Sequence, residues 1–234
     1  MTIKYIKNIN EHEEIDVIIP AAGIGKRMKS YGPKPLIKIN NDLTIIENQL
    51  NIINRVIPNS NIILVCGFEA NYLMNKVPDN IIKVENENYE QTNVVRSIGM
   101  GLRAARRNVL IIYGDLVFNR ECLESMNYSK SSILCGNNIM KDSEVGCIEN
   151  AKGKIENLMY DLENKWGQIM FLRGKELQLF KNICWNTDNN NMFGFEAINA
   201  IISRGGSIRS CGNEKTKIVD IDTSKDLEKV KDIL

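Results

Sequence analysis

The apolar positions of this chain fall into two rhythms. Runs such as 15–21 (IDVIIPA), 61–66 (NIILVC) and 108–113 (NVLIIY) are apolar at nearly every position, while the segments between them are longer and amphipathic. Strands are expected at about 15–21, 61–66, 80–84, 108–113, 131–136, 144–149, 153–158, 168–172, 207–211 and 216–221. Helices fall between many of them. In 44–57, Thr44 stands three residues before Glu47 as in a capping box, and Leu50, Ile53 and Ile57 follow at helical spacing. A second helix starts with Thr92 or Asn93 as its cap, and another closes the chain, with Thr223 as cap and Asp226 three positions on. This alternation predicts an α/β fold with a mixed, mostly parallel sheet flanked by helices. Residues 140–175 break the pattern and read as consecutive strands, a small antiparallel insertion.

Composition leaves that picture intact and narrows the partners. The 234 residues are 43% hydrophobic, enough to bury the core of one large domain, taken as 15–234 behind a leading segment of 1–14. Thirty Lys and Arg against 29 Asp and Glu leave a net charge of +1, so no global field recruits nucleic acid or an anionic membrane. Anion binding has to be local. The six cysteines, at 66, 122, 135, 147, 184 and 211, are far apart without a C-x-x-C pair, and His12 is the only histidine, so a Cys/His zinc site is not expected. Cys66 and Cys135 sit in apolar runs, where a free thiol packs as a small core residue, and a reduced, cytoplasmic protein is the expectation. The opening MTIKYIKNINEHEEID has no uninterrupted apolar stretch, and no run approaches the ~18 residues that would suggest a membrane span.

Candidate chemistry begins where the first strand ends. In AAGIGKRMKSYGPKPL, residues 21–36, the backbone at Ala21, Ala22, Gly23 and Gly25 can approach an anion, because glycine tolerates φ > 0 and has no Cβ in the way. Lys26, Arg27 and Lys34 add positive charge. A P-loop would need Gly at Pro20 and Ser or Thr at Arg27, and a dinucleotide fingerprint would need a third glycine at Met28.

A third pattern fits. GIGKRMKSYGPKPL resembles the signature G-x-G-x-R-[ML] followed by P-K-[PA]-L of the nucleotidyltransferase family, from Gly23 through Arg27 and Met28 to Lys34 and Leu36. Those enzymes attach a nucleoside monophosphate to a phosphorylated small molecule. The resemblance implies backbone donors and Lys26 for the triphosphate, with Arg27 and Lys34 as catalytic cations that lower the repulsion between two anions. Further along, NENYEQTNVVRSIGMGL looks like the segment that approaches base and ribose, with Asn93 and Ser97 one helical turn apart on the same face. VLIIYGDLVF runs into Gly114 and Asp115 at the carboxyl end of a strand, where a carboxylate faces the crevice and can meet a hard cation. KIVDIDTSKDL is similar to the closing motif, with Asp222 as second metal ligand, Asp220 on the same strand face and Asp226 in a capping role.

What the resemblance implies is a Rossmann-like, GT-A-like sheet of about seven strands and Mg²⁺-dependent NMP transfer. The segments NYEQTNVVRSI, IYGDLVF and DIDTSKDL look closest to the cytidylyltransferases that act on phosphocholine, aminoethylphosphonate or phosphoglutamine for surface and capsule polysaccharides. CTP and a phosphorylated small molecule are thus the expected partners, without nucleic acid or membrane. The acceptor is expected over the insertion, at Asp161, Lys165, Trp166, Gln168 and Glu196. That insertion either closes the acceptor site or makes a homodimer contact. Tyr160, Trp185 and Phe193 do not suggest an aromatic cage by their spacing. Competing readings are a sugar-1-phosphate nucleotidyltransferase, a glycosyltransferase using Asp220-Ile221-Asp222 as a D-x-D metal motif, and a nucleotide-binding regulator without catalysis.

Overall fold

The computed structural model describes residues 14–25, 32–40, 43–137, 139–140 and 145–234. In chain order these form β1 (Ile15–Ala21), α1 (Ile45–Val56), β2 (Asn61–Cys66), α2 (Ala70–Met74), β3 (Ile82–Glu85), α3 (Val94–Ala104), β4 (Asn108–Ile112), β5 (Leu116–Phe118) and α4 (Glu121–Glu124). There follow β6 (Ser132–Gly136), β7 (Val145–Glu149), β8 (Ile155–Tyr160), β9 (Lys165–Leu172), α5 (Gly174–Trp185), α6 (Gly194–Ser203), β10 (Arg209–Cys211), β11 (Ile218–Asp220) and α7 (Asp226–Lys229).

The main sheet runs β10-β6-β9-β4-β1-β2-β3. β1 pairs in parallel with β2 and β4, β2 with β3, and β6 with β10, while β9 is antiparallel to both β4 and β6. Six strands of this path therefore point one way and β9 the other. The hairpin β7–β8 hangs on β9, the antiparallel excursion expected within 140–175. All seven residues of β1 are buried, as a central strand covered by helices on both faces requires. Odd and even positions of β1 go to different cores. Ile15, Val17 and Ile19 pack with Leu50 and Ile53 of α1, and Ile18 packs with Ile98 and Leu102 of α3 and with residues of α5 and α6.

Local sequence sets several ends. α1 carries the expected capping box: the Thr44 N–H donates to Glu47 Oε2 at 2.8 Å and the Glu47 N–H to Thr44 Oγ1 at 3.3 Å. Asn93 caps α3, its Oδ1 accepting from the Val94 N–H at 2.7 Å. The closing helix is shorter than the pattern predicts, because α7 tightens into a 3₁₀ turn at Val230–Asp232. There Asp226 takes the capping role expected of it against Thr223, accepting from the Thr223 N–H at 2.7 Å and Oγ1 at 2.9 Å. Cys66, Cys122, Cys135, Cys147 and Cys184 are buried free thiols. Among the described residues no helix is long and apolar enough to cross a membrane.

Candidate active site

The loops after β1 and β4 leave the sheet side by side, and a cavity of about 620 Å³ opens there at the carboxyl ends of the parallel strands. Ala21, Ala22, Gly23 and Gly25 form one edge of it, as the glycine motif predicts. Gly25 has φ +58, and a Cβ there would stand 2.9 Å from the Lys34 side chain. Glycine thus serves both the turn and the passage of the lysine stem beside it. Lys26 and Arg27 lie outside the described residues.

Lys34 opens a 3₁₀ turn, Lys34–Leu36, and its side chain reaches between two carboxylates distant in sequence. Its Nζ lies 3.1 Å from Asp115 Oδ2 and 2.5 Å from Asp222 Oδ1. Burial on its own would lower the Lys34 pKa, but the charge of Asp115 and the hydrogen bond and charge of Asp222 outweigh it, and the value is raised. The ammonium stays protonated throughout the physiological range.

Backbone pairing explains why residues 115 and 222 converge. β5 and β11 form a separate antiparallel ribbon in which Leu116 faces Asp220, and the Ile221 N–H donates to the Asp115 carbonyl at 3.0 Å. The buried Gln49 of α1 braces this turn, its Nε2 donating to the carbonyls of Tyr113 at 2.9 Å and Leu116 at 2.8 Å. Asp220 lines the same cavity, and burial, followed by the charges of Asp115 and Asp222, pushes its pKa up to about 6. Among the described residues no three His, Cys, Asp or Glu side chains stand together as a ready metal cluster. The pair Asp115 and Asp222 is what the chain presents.

On the opposite edge, Asn93 and Ser97 reach the cavity from the first turns of α3. Asn86, which the sequence did not mark, ties Ser97 to Thr92: its Nδ2 donates to Ser97 Oγ and to Thr92 Oγ1, both at 3.1 Å. Of the expected acceptor residues, Trp166 and Gln168 line the cavity, and the other three do not. Glu196 is occupied at the start of α6, accepting from the Phe193 N–H at 2.7 Å. Asp161 sits exposed in the β8–β9 turn with φ +62, and Lys165 begins β9 opposite Gly136 and Gly146. Gln168 is carried inward by a bulge, where the β6–β9 register slips and its own φ is +55.

The spacing gave no sign of an aromatic wall, yet one is present. Tyr160, Phe193 and Phe195 line the far end of the cavity, with ring centroids 5.3 Å apart for Tyr160 and Phe195 and 6.0 Å for Phe193 and Phe195. Tyr113 and Trp166 meet edge to face beside them at 5.8 Å. Trp185 takes no part, since its Nε1 donates to the Gly99 carbonyl at 3.1 Å.

A glycine turn with a paired lysine and two carboxylates at the ends of parallel strands is the arrangement the nucleotidyltransferase resemblance implied, and the family comparison supports a nucleotidyltransferase enzyme. The profile of the MobA-like NTP transferase domain matches residues 17–129, the half that carries the glycine turn, Lys34, Asn93, Ser97 and Asp115. Among solved structures, the chain is similar to the CTP:phosphocholine cytidylyltransferase LicC of Streptococcus pneumoniae, at 18% identity and a TM-score of 0.72 over 93% of this chain and 98% of that one. It is similar to the inositol-1-phosphate CTP transferase of T. maritima, at 15% identity and a TM-score of 0.71 over 92% and 96%. A Bacillus anthracis protein assigned as a glucose-1-phosphate thymidylyltransferase aligns at 13% identity and a TM-score of 0.76 over 93% and 94%. At these identities the likeness concerns the fold. No curated protein sequence matches the chain.

Proposed function

We propose that the protein transfers CMP from CTP to a phosphorylated or phosphonylated small molecule with release of pyrophosphate. The observation that carries this reading is Lys34, held between Asp115 and Asp222 at the edge of the glycine turn. An acceptor phosphate is already anionic near neutral pH, its second pKa being about 6, so its oxygen can attack the α-phosphorus without a general base. The new P–O bond forms as the bond to the β-phosphate oxygen breaks, and pyrophosphate leaves with that electron pair. The turn from Ala21 to Gly25 would receive the triphosphate, Lys34 would bring positive charge to the α-phosphoryl group, and Asn93 and Ser97 would meet the nucleoside.

Mg²⁺ fits this donor set. A small hard cation is commonly held by one or two carboxylates together with substrate phosphates and water, and Asp115 and Asp222 are two carboxylates that already share one positive charge. When bound there it would supply Lewis-acid polarisation of the phosphoryl oxygens.

The aromatic wall supports an acceptor whose body is an alkylammonium or an apolar chain, because ring faces attract desolvated cations. Phosphocholine and aminoethylphosphonate fit that description better than phosphoglutamine, whose carboxylate and ammonium both need charged partners. A role in polysaccharide modification is the setting the sequence resemblance suggests for such products. The test is pyrophosphate release with Mg²⁺ and each of CTP, UTP, ATP, GTP and dTTP against phosphocholine, aminoethylphosphonate, phosphoglutamine and sugar 1-phosphates. Release confined to CTP with an amine-bearing acceptor is expected; release with a sugar 1-phosphate alone would overturn the acceptor assignment.

A further inference from the structure

Helix α6 meets the hairpin β7–β8 at two points about one helical turn apart. Asn199 Nδ2 donates to the Leu158 carbonyl at 2.7 Å, and the Leu158 N–H donates to Asn199 Oδ1 at 2.8 Å. One side-chain amide thus makes both of the bonds that a residue of a neighbouring strand would make at the outer edge of β8. Four residues earlier on α6, the Phe195 ring meets the Tyr160 ring edge to face, with centroids 5.3 Å apart.

The two contacts share one register. Positions 195 and 199 lie on one face of the helix and are separated by about 6 Å along its axis. Leu158 and Tyr160 stand two positions apart on β8, about 6.7 Å along the strand. The steps match, so pairing Asn199 with Leu158 brings Phe195 opposite Tyr160. Nothing else in this contact sets that register so directly. Ala197, Ile198 and Ile201 pack into the same apolar cluster as Leu158, and apolar contact has no direction of its own. The tip of the hairpin is tied at Ile155, whose N–H donates to the Ile208 carbonyl at 2.9 Å. Near the cavity, β7 joins β9 through one ladder pair, Gly146 with Lys165, and through the Cys147 N–H, which donates to the Asn164 carbonyl at 2.7 Å.

We propose that Asn199 is a positioning residue for the aromatic end of the cavity. Tyr160, Phe193 and Phe195 line the cavity, whereas Asn199 and Leu158 do not. Asn199 therefore acts through the rings: it pins β8 against α6 and holds Tyr160 against Phe195 in the arrangement that the body of the acceptor meets. That this wall receives the acceptor rests on the transfer reading above; the pinning of the wall does not.

The test compares the full chain with two variants. Asn199→Leu keeps the bulk and removes both bonds, and Asn199→Asp keeps an acceptor for the Leu158 N–H while removing the donor to its carbonyl. Two readouts without substrate decide the pinning, and either variant can carry them if the other does not fold. The Leu158 amide should exchange with deuterium about tenfold faster in Asn199→Leu while the β4 amides hold their rates, and the nuclear Overhauser contact between the Tyr160 and Phe195 rings should weaken. Pyrophosphate release then reads the consequence. The KM for phosphocholine should rise about fivefold in Asn199→Leu and less in Asn199→Asp, with the KM for CTP unchanged in both. Phe195→Leu should raise the same KM, and the double variant should fall short of the two effects combined, because both act on one wall. Unchanged Leu158 exchange with an intact ring contact would overturn the pinning. A weakened ring contact with an unchanged phosphocholine KM, or both KM values moving together, would overturn its role in acceptor binding. Wild-type protein that releases pyrophosphate with sugar 1-phosphates alone would sink the acceptor reading, and amide exchange and the ring contact would still decide the pinning.

Discussion

At the scale of the residue, Lys34 and Asp16 are two largely buried charges to which the proposed mechanism gives different roles. Lys34 is held by two carboxylates that a substrate complex can recruit, so Lys34→Ala and Asp222→Asn should each abolish most pyrophosphate release while circular dichroism shows a folded chain. Full activity in either variant would remove that residue from the mechanism. Asp16 sits at the other end of β1, 1% exposed, and accepts from the Arg106 N–H at 2.7 Å, the Arg107 N–H at 3.0 Å and Asn61 Nδ2 at 3.0 Å. Its removal leaves buried donors unpaired. Asp16→Ala should cost about 2–4 kcal/mol in urea unfolding, yet leave CTP affinity of the folded protein unchanged. The sequence exposed the first kind of residue more readily than the second. Lys34, Asn93, Ser97, Asp115 and Asp222 stand in short motifs whose spacing is itself a signal, and the structure brings all five to one cavity. Asp16, Gln49 and Asn86 carry no motif, because their partners are backbone and side-chain groups that only the folded chain brings near.

At the scale of the element, what could be read was whatever local chemistry decides. The α1 capping box was legible because both halves of it lie within four residues. Thr44→Ala should therefore cost about 1 kcal/mol of stability. The Glu47 carboxyl lies below its ordinary value of 4.5, held there by the Thr44 hydroxyl and then by the Thr44 N–H. A depressed folded pKa means that this contribution is complete above about pH 4.5 and is lost as pH falls through the lower folded value. The cost of Thr44→Ala, measured by urea unfolding at pH 7 and again near pH 3, should shrink at the acid end; an equal cost at both would show the carboxylate contributes nothing. By contrast β5 was missed. Its three residues lie past the expected strand 108–113 and were given no element, and only pairing with β11, about a hundred residues later, makes them one. The shortened α7 has a related cause, since Asp226 turns its carboxylate back onto Thr223 and Asp222 N–H groups.

At the scale of the whole molecule, the fold places parts from three distant regions around one cavity: the turn after β1, the β5–β11 ribbon and the start of α6. The strand alternation made the parallel sheet and its ligand edge legible. The aromatic end of the cavity was not, because Tyr160 and Phe193 are 33 positions apart in sequence and meet through Phe195 only once β8 and α6 pack together. A site assembled in this way couples ligand binding to stability. A ligand that binds only the folded chain stabilises it by about 2.7 kcal/mol at a hundred times its dissociation constant, roughly a 5–10 °C rise in melting temperature at this chain length. CTP with Mg²⁺ should produce such a rise by differential scanning fluorimetry, and CTP with EDTA a smaller one. Asp222→Asn should abolish the difference between the two, since it removes one of the two carboxylates assigned to the cation, while the rise with CTP and EDTA persists through the glycine turn and α3. If the Mg²⁺-dependent part survives in Asp222→Asn and is lost in Asp115→Asn, the cation belongs to Asp115 alone; if it survives in both, neither carboxylate holds it.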